Sequence, residues 1–502
     1  MTRSLADVFD ANAARAPEKV AVSEEGREVS YGVLRTRSEA VTRTLESLGV
    51  RAGSRVGLMV PNSSSYVAGY FAIARPGGVV APLNVRYRTQ ELVYYLDDTK
   101  AGALVVSPDL VEVAREALAT MPRAPRLVEI DDAGGSRVLD AASPVAPADD
   151  AVAGPAPDDP PLMHQYTSGS TGNPKRVVRT HGQLRYELAA LAETFHLGPE
   201  DRFLGAAPFT HVNGLVRTML TSMFVGGTLY PVKRFDRRGA LTLITEHRLT
   251  YFGAVPTMFA LLADTPARGT VDLSSLRTVF SASAPLLPGD NQRFRENYGL
   301  TVRQLYGSTE TGTISVNPHD DPATCMESVG RPLPGVRFEV IDDAGQPVSR
   351  GEEGEVAIAG PGVIPGYEGN QEANATSFRD GFYLSGDLGR LNPDGCLVLT
   401  GRKKFIINRG GFKVNPLEVE EAIASHPKVS EVAVYGAPGP HGDDLVRCAI
   451  VASGACTERE ILEHCRGRIA DFKIPSRIEF RDALPRTDTG KILRNRLRDS
   501  SA

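Results

Sequence analysis

The sequence predicts an α/β protein with a large amino-terminal domain of several subdomains on mostly parallel sheets and a small α+β carboxyl-terminal domain. Three observations predict it. The chain has 502 residues, more than one hydrophobic core ordinarily serves. From about Gly49 onward short β-rich runs alternate with helix-like ones, the rhythm of βαβ units and parallel sheets. Near Gly401 to Lys404 the pattern changes to a compact unit of about 100 residues, a typical domain size.

Taken in order, "RVGLMV", "SSSYVAGYFAIARPG" and "GVVAPLN" read as strand, serine-capped helix and strand. The segment from Asp140 to Pro161, "DAASPVAPADDAVAGPAPDDPP", is aperiodic and rich in Ala, Pro and Asp, and reads as an exposed connector. The alternation returns at "ALTLITEHR", "LTYFGAVP", "TMFALLAD", "LRTVFSAS" and "VRQLYGST". Its strands run into loops of small or hydroxylic residues, and ligands of open α/β sheets gather at such carboxyl ends. Downstream, "PLEVEEAIASHP", "VSEVAVYG", "VRCAIVAS" and "EREILEHCRGRIA" form the small unit, giving expected domains of 1–402 and 403–502.

Composition excludes several classes. Hydrophobic residues are 41% and charged residues 23% of the chain, so neither disorder nor a fibrous structure is indicated. A net charge of -5 argues against nucleic acid as a partner. The 5 cysteines show no metal-ligand or disulfide spacing, and a reducing cytoplasm is the expected setting. No apolar run approaches the roughly 20 residues of a membrane span, and neither terminus carries a targeting signal.

"YTSGSTGNPKR", Tyr166 to Arg176, carries the first chemistry. Gly169 and Gly172 let the backbone turn and approach a ligand. Thr167, Ser168, Ser170 and Thr171 supply hydroxyls, and Lys175 a positive charge, so a polyphosphate is the natural guest. The spacing is not that of a Walker loop, and taken alone the stretch equally suits a solvated Ser/Gly turn.

Four further segments follow in order: "YGSTET" from Tyr306, "YLSGDLGRL" from Tyr383, "GRKKFIINRGGFKVNPLEVE" from Gly401 and "PRTDTGKILR" from Pro485. Together with the hydroxyl loop they resemble, in order and spacing, the core motifs of the ANL superfamily of adenylate-forming enzymes. "VSYGVL" and "FAIARPGGVVAPLN" extend the resemblance over nearly the whole chain.

The resemblance implies two half-reactions, in which a carboxylate displaces pyrophosphate from ATP and a thiol then displaces AMP. It implies ATP, Mg²⁺ and CoA as the small molecules used besides the carboxylic acid. Thr309 would bond the α-phosphate and Glu310 hold Mg²⁺, with Tyr306, Gly307 and Ser308 against the adenylate. Asp387 would accept from the ribose hydroxyls, beside Arg402. Ser283, Ala284 and Pro285 of "SASAP" would border the adenine, although this segment departs from the more usual Gly-Ala-Ala-Pro. Lys491 resembles the lysine that bridges carboxylate and α-phosphate, where an ammonium neutralises two approaching anions; read alone, it is a solvated lysine of a basic tail. The small domain would rotate between half-reactions about Lys404, presenting a thiol tunnel lined by Gly410 and Gly411. His211 resembles an aromatic gate, with Val212, Asn213, Gly214 and Ser281 around the acyl pocket.

Arg176 stands where many relatives have Gly, with further charge at Arg179; an outward-pointing arginine is the ordinary expectation. A stand-alone acyl- or aryl-CoA synthetase is the leading function, with a separate carrier protein as the alternative thiol acceptor and a degenerate nucleotide-binding scaffold as the contrasting class. A scaffold would have no need of Lys175, Thr309, Glu310, Asp387, Arg402 and Lys491 together. The mostly small, hydroxylic or apolar pocket borders, His211 and Arg217 apart, point to a hydrophobic or aromatic acid. Oligomeric state is open.

Overall fold

A computed structural model describes residues 4–139, 159–167, 174–265, 271–317, 324, 326–409, 412–439, 444–487 and 490–499. Two large sheets dominate it. The 7-stranded sheet runs, in spatial order, Ser136–Val138, Arg126–Ile130, Ala103–Val106, Arg55–Met59, Val79–Pro82, Pro161–Thr167 and Lys175–Thr180. Its inner pairs are parallel and its two edge pairs antiparallel. Arg55–Met59 is buried at every residue, as expected of a strand covered on both faces.

The helix Ser64–Ala74 connects the adjacent strands Arg55–Met59 and Val79–Pro82 of this sheet. Ser63 caps it by accepting from Tyr66 N at 3.2 Å. All 11 of its residues are buried, packed between those strands and the helices Leu5–Arg15 and Tyr31–Ser47. Gly69 lies against Leu58, and Tyr66 Oη donates to the Phe209 carbonyl at 2.7 Å.

The 9-stranded sheet has the order Arg331–Pro332, Gly312–Val316, Arg303–Ser308, Thr278–Ser281, Tyr251–Ala254, Arg202–Gly205, Thr228–Pro231, Val20–Glu24 and Arg27–Ser30. Arg303–Ser308 through Val20–Glu24 pair in parallel. Their carboxyl ends bring together the loops at Pro208–His211, Ala282–Pro285 and Thr309–Thr311.

A 5-stranded antiparallel sheet follows, from Arg337–Ile341 to Leu397–Arg402. Here the chain departs from a purely parallel design. The α/β fold with a large amino-terminal part and a smaller carboxyl-terminal domain is otherwise as the sequence predicts.

The carboxyl-terminal sheet Val429–Pro438, Asp444–Ala452 and Arg477–Phe480 packs on the helix Pro416–Ala424 around its own cluster, including Val419, Ile423, Val434, Val446 and Ile461. Asn415 caps that helix and reaches back to the Thr400 carbonyl at 2.5 Å. The basic tail is not simply solvated: Arg494 Nη2 donates to both oxygens of buried Glu420, at 2.6 and 2.8 Å. Glu420 also accepts from Val434 N at 2.7 Å. The segment carrying Lys491 is thereby tied to the small domain.

Candidate active site

The strands Pro161–Thr167 and Lys175–Thr180 set Thr167 opposite Lys175 at the root of the hydroxyl loop. Ser168, Gly169, Ser170, Thr171 and Gly172 lie outside the described residues, as do Gly410 and Gly411. Lys175 Nζ sits 4.6 Å from the centroid of the Tyr367 ring, within cation-π range. Tyr367 Oη donates to Glu310 Oε1 at 2.9 Å. Burial and the Glu310 charge push the Tyr367 phenol up, so it remains a donor at neutral pH.

Thr309, Glu310 and Thr311 form the turn between Arg303–Ser308 and Gly312–Val316. The bulge between Tyr306 and Gly307 and the positive φ of Gly312, +68°, shape it. Its residues are held from several directions. Ser308 N donates to Thr311 Oγ1 at 3.1 Å, and Ile364 N donates to the Glu310 carbonyl at 2.9 Å. Glu310 is 7% exposed.

On the adenylate side Tyr306 Oη donates to Asp387 Oδ2 at 2.6 Å. Arg402 Nε donates to Asp387 Oδ1, and its Nη2 to Oδ2 at 3.3 Å. Asp387 and Arg402 face each other across paired strands. Three of the expected residues, far apart in sequence, thus form one hydrogen-bonded group.

Lys491 shares that neighbourhood. Although Lys491 is exposed, desolvation by its surroundings and the Arg402 charge pull its ammonium pKa below the ordinary value, while Asp387 and Glu310 act in the opposite direction. Arg486 shapes its loop, donating to the Gly490 carbonyl at 2.7 Å and to Glu431 at 2.9 Å. Lys404 lies in the turn Lys403–Phe405 directly after the strand bearing Arg402.

On the acyl side His211 N-caps the short helix Val212–Gly214. Asn213 Nδ2 donates to the Ala254 carbonyl at 3.1 Å, and Ala254 is paired with Ser281. Gly214 has a packing reason of its own: a Cβ there would lie 2.4 Å from the Ala207 carbonyl and 2.3 Å from that of Pro208. Ser283 holds φ at +80°, in the left-handed region that few non-glycine residues adopt. Ala284 is partly buried beside it, whereas Pro285 is exposed.

A buried network, invisible in the linear chain, stands behind the turn. Arg179 Nη2 donates to Glu187 Oε2 at 2.9 Å, with the two side chains 0% and 1% exposed. Arg179 Nη1 donates to the Thr309 carbonyl at 3.3 Å. Glu187 Oε1 accepts from Thr313 N at 2.8 Å and Thr313 Oγ1 at 2.7 Å, and Arg217 Nε donates to Thr313 Oγ1 at 2.9 Å. Burial would raise the Glu187 pKa, yet Arg179 and Arg217 hold it below its ordinary value.

Arg176 is not outward-pointing. It bridges Asp98, with Nη1 at 3.2 Å from Oδ2, and Glu368, with Nε at 2.9 Å from Oε2. The strand after the hydroxyl loop is thereby braced on both sides. Half-exposed ion pairs contribute about 0.2–1 kcal/mol each. Arg176→Gly is therefore expected to raise KM for ATP about threefold to tenfold in steady-state kinetics; an unchanged KM would deny the brace a role.

Glu310 suits a hard cation by its chemistry: it is a lone carboxylate at the turn, and such a cation would take its remaining oxygens from phosphate and water. Among the described residues no group of three His, Cys, Asp or Glu side chains is gathered to hold a metal. Among them, too, no helix is long and apolar enough to cross a membrane.

The AMP-binding enzyme family model matches residues 9–368, and the model of the family's C-terminal domain matches residues 418–491. Feruloyl-CoA synthase of Amycolatopsis sp is 34% identical over 486 residues, 96% of this chain and 96% of that protein. Oxalate–CoA ligase of Arabidopsis thaliana is 31% identical over 98% of this chain and 97% of its own length. The ATP-bound crystal structure of MatB from Rhodopseudomonas palustris superposes with a TM-score of 0.87 at 30% identity, covering 99% of this chain and 98% of that one. The chain belongs to the AMP-binding enzymes, the adenylate-forming superfamily that its motifs resemble.

Proposed function

We propose that this AMP-forming acyl-CoA synthetase activates its carboxylic acid beside the turn Thr309–Thr311 and uses the residues gathered there for both half-reactions. In the first half-reaction a carboxylate oxygen bonds to the α-phosphorus of ATP and pyrophosphate leaves. In the second the sulfur of CoA bonds to the acyl carbon, and AMP leaves with the oxygen that came from the carboxylate. The observation that carries the site assignment is the Tyr306–Asp387–Arg402 group beside Lys491 and Glu310.

In this reading Lys491 neutralises the approaching carboxylate and α-phosphate, an electrostatic effect strongest in a partly desolvated site. Thr309 is held for an α-phosphate oxygen, and Lys175 with the hydroxyl loop for the β- and γ-phosphates. Asp387 and Arg402 orient the ribose. Glu310 would hold Mg²⁺, whose chemistry is to neutralise phosphate charge. Gly410 and Gly411 are assigned to the thiol tunnel, and His211 to the gate before the acyl pocket.

Lys404 is proposed as the hinge between residues 1–402 and 403–502. Although its side chain is exposed, desolvation by its surroundings, then the charges of Arg402 and Lys491, pull its pKa down to about 8 from an ordinary 10.5. Wherever the small domain swings away, Lys404 keeps its proton up to that ordinary value. The docked arrangement therefore binds fewer protons and gains stability as pH rises from about 8 to 10.5. The ratio of adenylation rate to thioester-forming rate should rise through about pH 8. Lys404→Met should flatten that rise, and an identical profile in the variant would remove Lys404 from the hinge.

Function is tested by ATP–pyrophosphate exchange and CoA-thioester formation, run in parallel across aliphatic, aromatic and dianionic acids. Exchange and thioester with the same acid are expected. Exchange without thioester would point to another acceptor, and silence in both would overturn the reading.

A further inference from the structure

Resting on the reading of the chain as an acid-activating CoA ligase, we propose that Arg217 binds a second anionic group on the substrate. The acid activated is then short and doubly charged: a dicarboxylate, or a carboxylate with a distal sulfonate or phosphonate.

Arg217 lies in the middle of the π-helical stretch Leu215–Leu220, a rare conformation found mostly at functional sites. Its side chain is 2% exposed. Nε donates to Thr313, but Nη2 has no hydrogen-bond partner among the described residues. A buried guanidinium with an open donor is costly unless an anion meets it.

The charge count points the same way. Arg179 and Arg217 share one carboxylate, that of Glu187, and its oxygens are already taken by Arg179 and Thr313. Among the described residues Arg217 forms no ion pair of its own. One positive charge is left without a matching negative one.

Its position suits a substrate group. Arg217 Nη2 is 2.6 Å from where a Cβ on Gly307 would lie, so the missing side chain makes the room it occupies. Gly307 stands two residues before Thr309, about 7 Å of strand. An acid whose reacting carboxylate meets the α-phosphate held at Thr309 therefore reaches Arg217 with its other end only if the connecting chain is short.

Two neighbours make an apolar guest a poor fit. Asn213 Oδ1 and Ser281 Oγ are buried and have no hydrogen-bond partner among the described residues. Asn213 bonds Ala254, which pairs with Ser281, so both atoms lie at the same strand ends. An aromatic or aliphatic acid would leave all three polar groups unsatisfied. A second anion answers Arg217 and brings its own water or donors to the others.

The test compares acids of equal chain length: malonate with propanoate, succinate with butanoate, and 3-sulfopropanoate with butanoate. Thioester formation is measured for the wild type, Arg217→Met and Arg217→Lys, with thermal unfolding as a check on folding. The wild type is expected to favour the dianion of each pair in kcat/KM by about 10- to 100-fold, the range of a charged hydrogen bond. Arg217→Met should bring that ratio to about one, with Arg217→Lys intermediate. A wild type that favours the monoanions overturns the proposal, and this comparison stands even where a variant fails to fold. A variant that lowers both members of a pair equally also overturns it, because Arg217 then serves the reacting carboxylate or only the fold. Activity with monoanions alone would leave the ligase reading intact, whereas no thioester from any acid would defeat that reading instead.

Discussion

Lys491→Ala is expected to lower the rate of acyl-adenylate formation by about 10²–10³-fold, the loss typical when one preorganised transition-state charge partner is removed. Thioester formation from a supplied acyl-adenylate should fall far less. The split arises because two anions meet only in the first half-reaction, and Lys491 is the ammonium near Asp387 and Glu310. Its backbone is held independently of its charge, by Thr487 N donating to the Lys491 carbonyl at 2.8 Å and by the Arg486 contacts. The variant should therefore keep the fold and lose the charge. Single-turnover kinetics with ATP and acid, then with acyl-adenylate and CoA, separate the halves. Equal losses in both would contradict a role confined to adenylation.

The second large effect concerns stability. Glu187→Ala leaves Arg179 and Arg217 buried side by side without their shared carboxylate. Removing one partner of a buried ion pair costs about 3–5 kcal/mol, and here two guanidinium groups also repel each other. Thr313 N loses its acceptor as well. The midpoint of thermal unfolding should fall by several degrees, and adenylation should weaken because Arg179 also holds the Thr309 carbonyl. Glu187→Gln, which keeps an oxygen for Thr313, should lose less. An unfolding midpoint for Glu187→Ala indistinguishable from the wild type would show that the network carries no weight.

The two effects mark what a linear sequence can and cannot display. Lys491, Glu310, Asp387 and Arg402 were legible because each lies in a short motif whose order along the chain is itself informative. The parallel strands were legible too, since "RVGLMV" or "VRQLYGST" shows its β-branched, buried character locally. The antiparallel sheet from Arg337–Ile341 to Leu397–Arg402 was not read, because its pairings join segments whose individual patterns are weak.

Arg176 was misjudged, and the partners of Arg179 and Arg217 were not seen, for one shared reason. In sequence an arginine is by default a solvated surface residue, and its partners lie on other elements. Arg176 meets Asp98 and Glu368, and Arg179 meets Glu187. The expectation of an apolar or aromatic acid weighed the small residues around His211 more than the one arginine among them. The burial of that arginine is what the linear chain does not display.

The most direct measurement of the central claim follows the oxygen atoms. With the carboxylic acid labelled with ¹⁸O in its carboxylate, each turnover with ATP and CoA should deliver one labelled oxygen to AMP and none to pyrophosphate. Attack on the α-phosphorus followed by thiol displacement at the acyl carbon requires that result. Label appearing in pyrophosphate or inorganic phosphate, or AMP released without label, would contradict it.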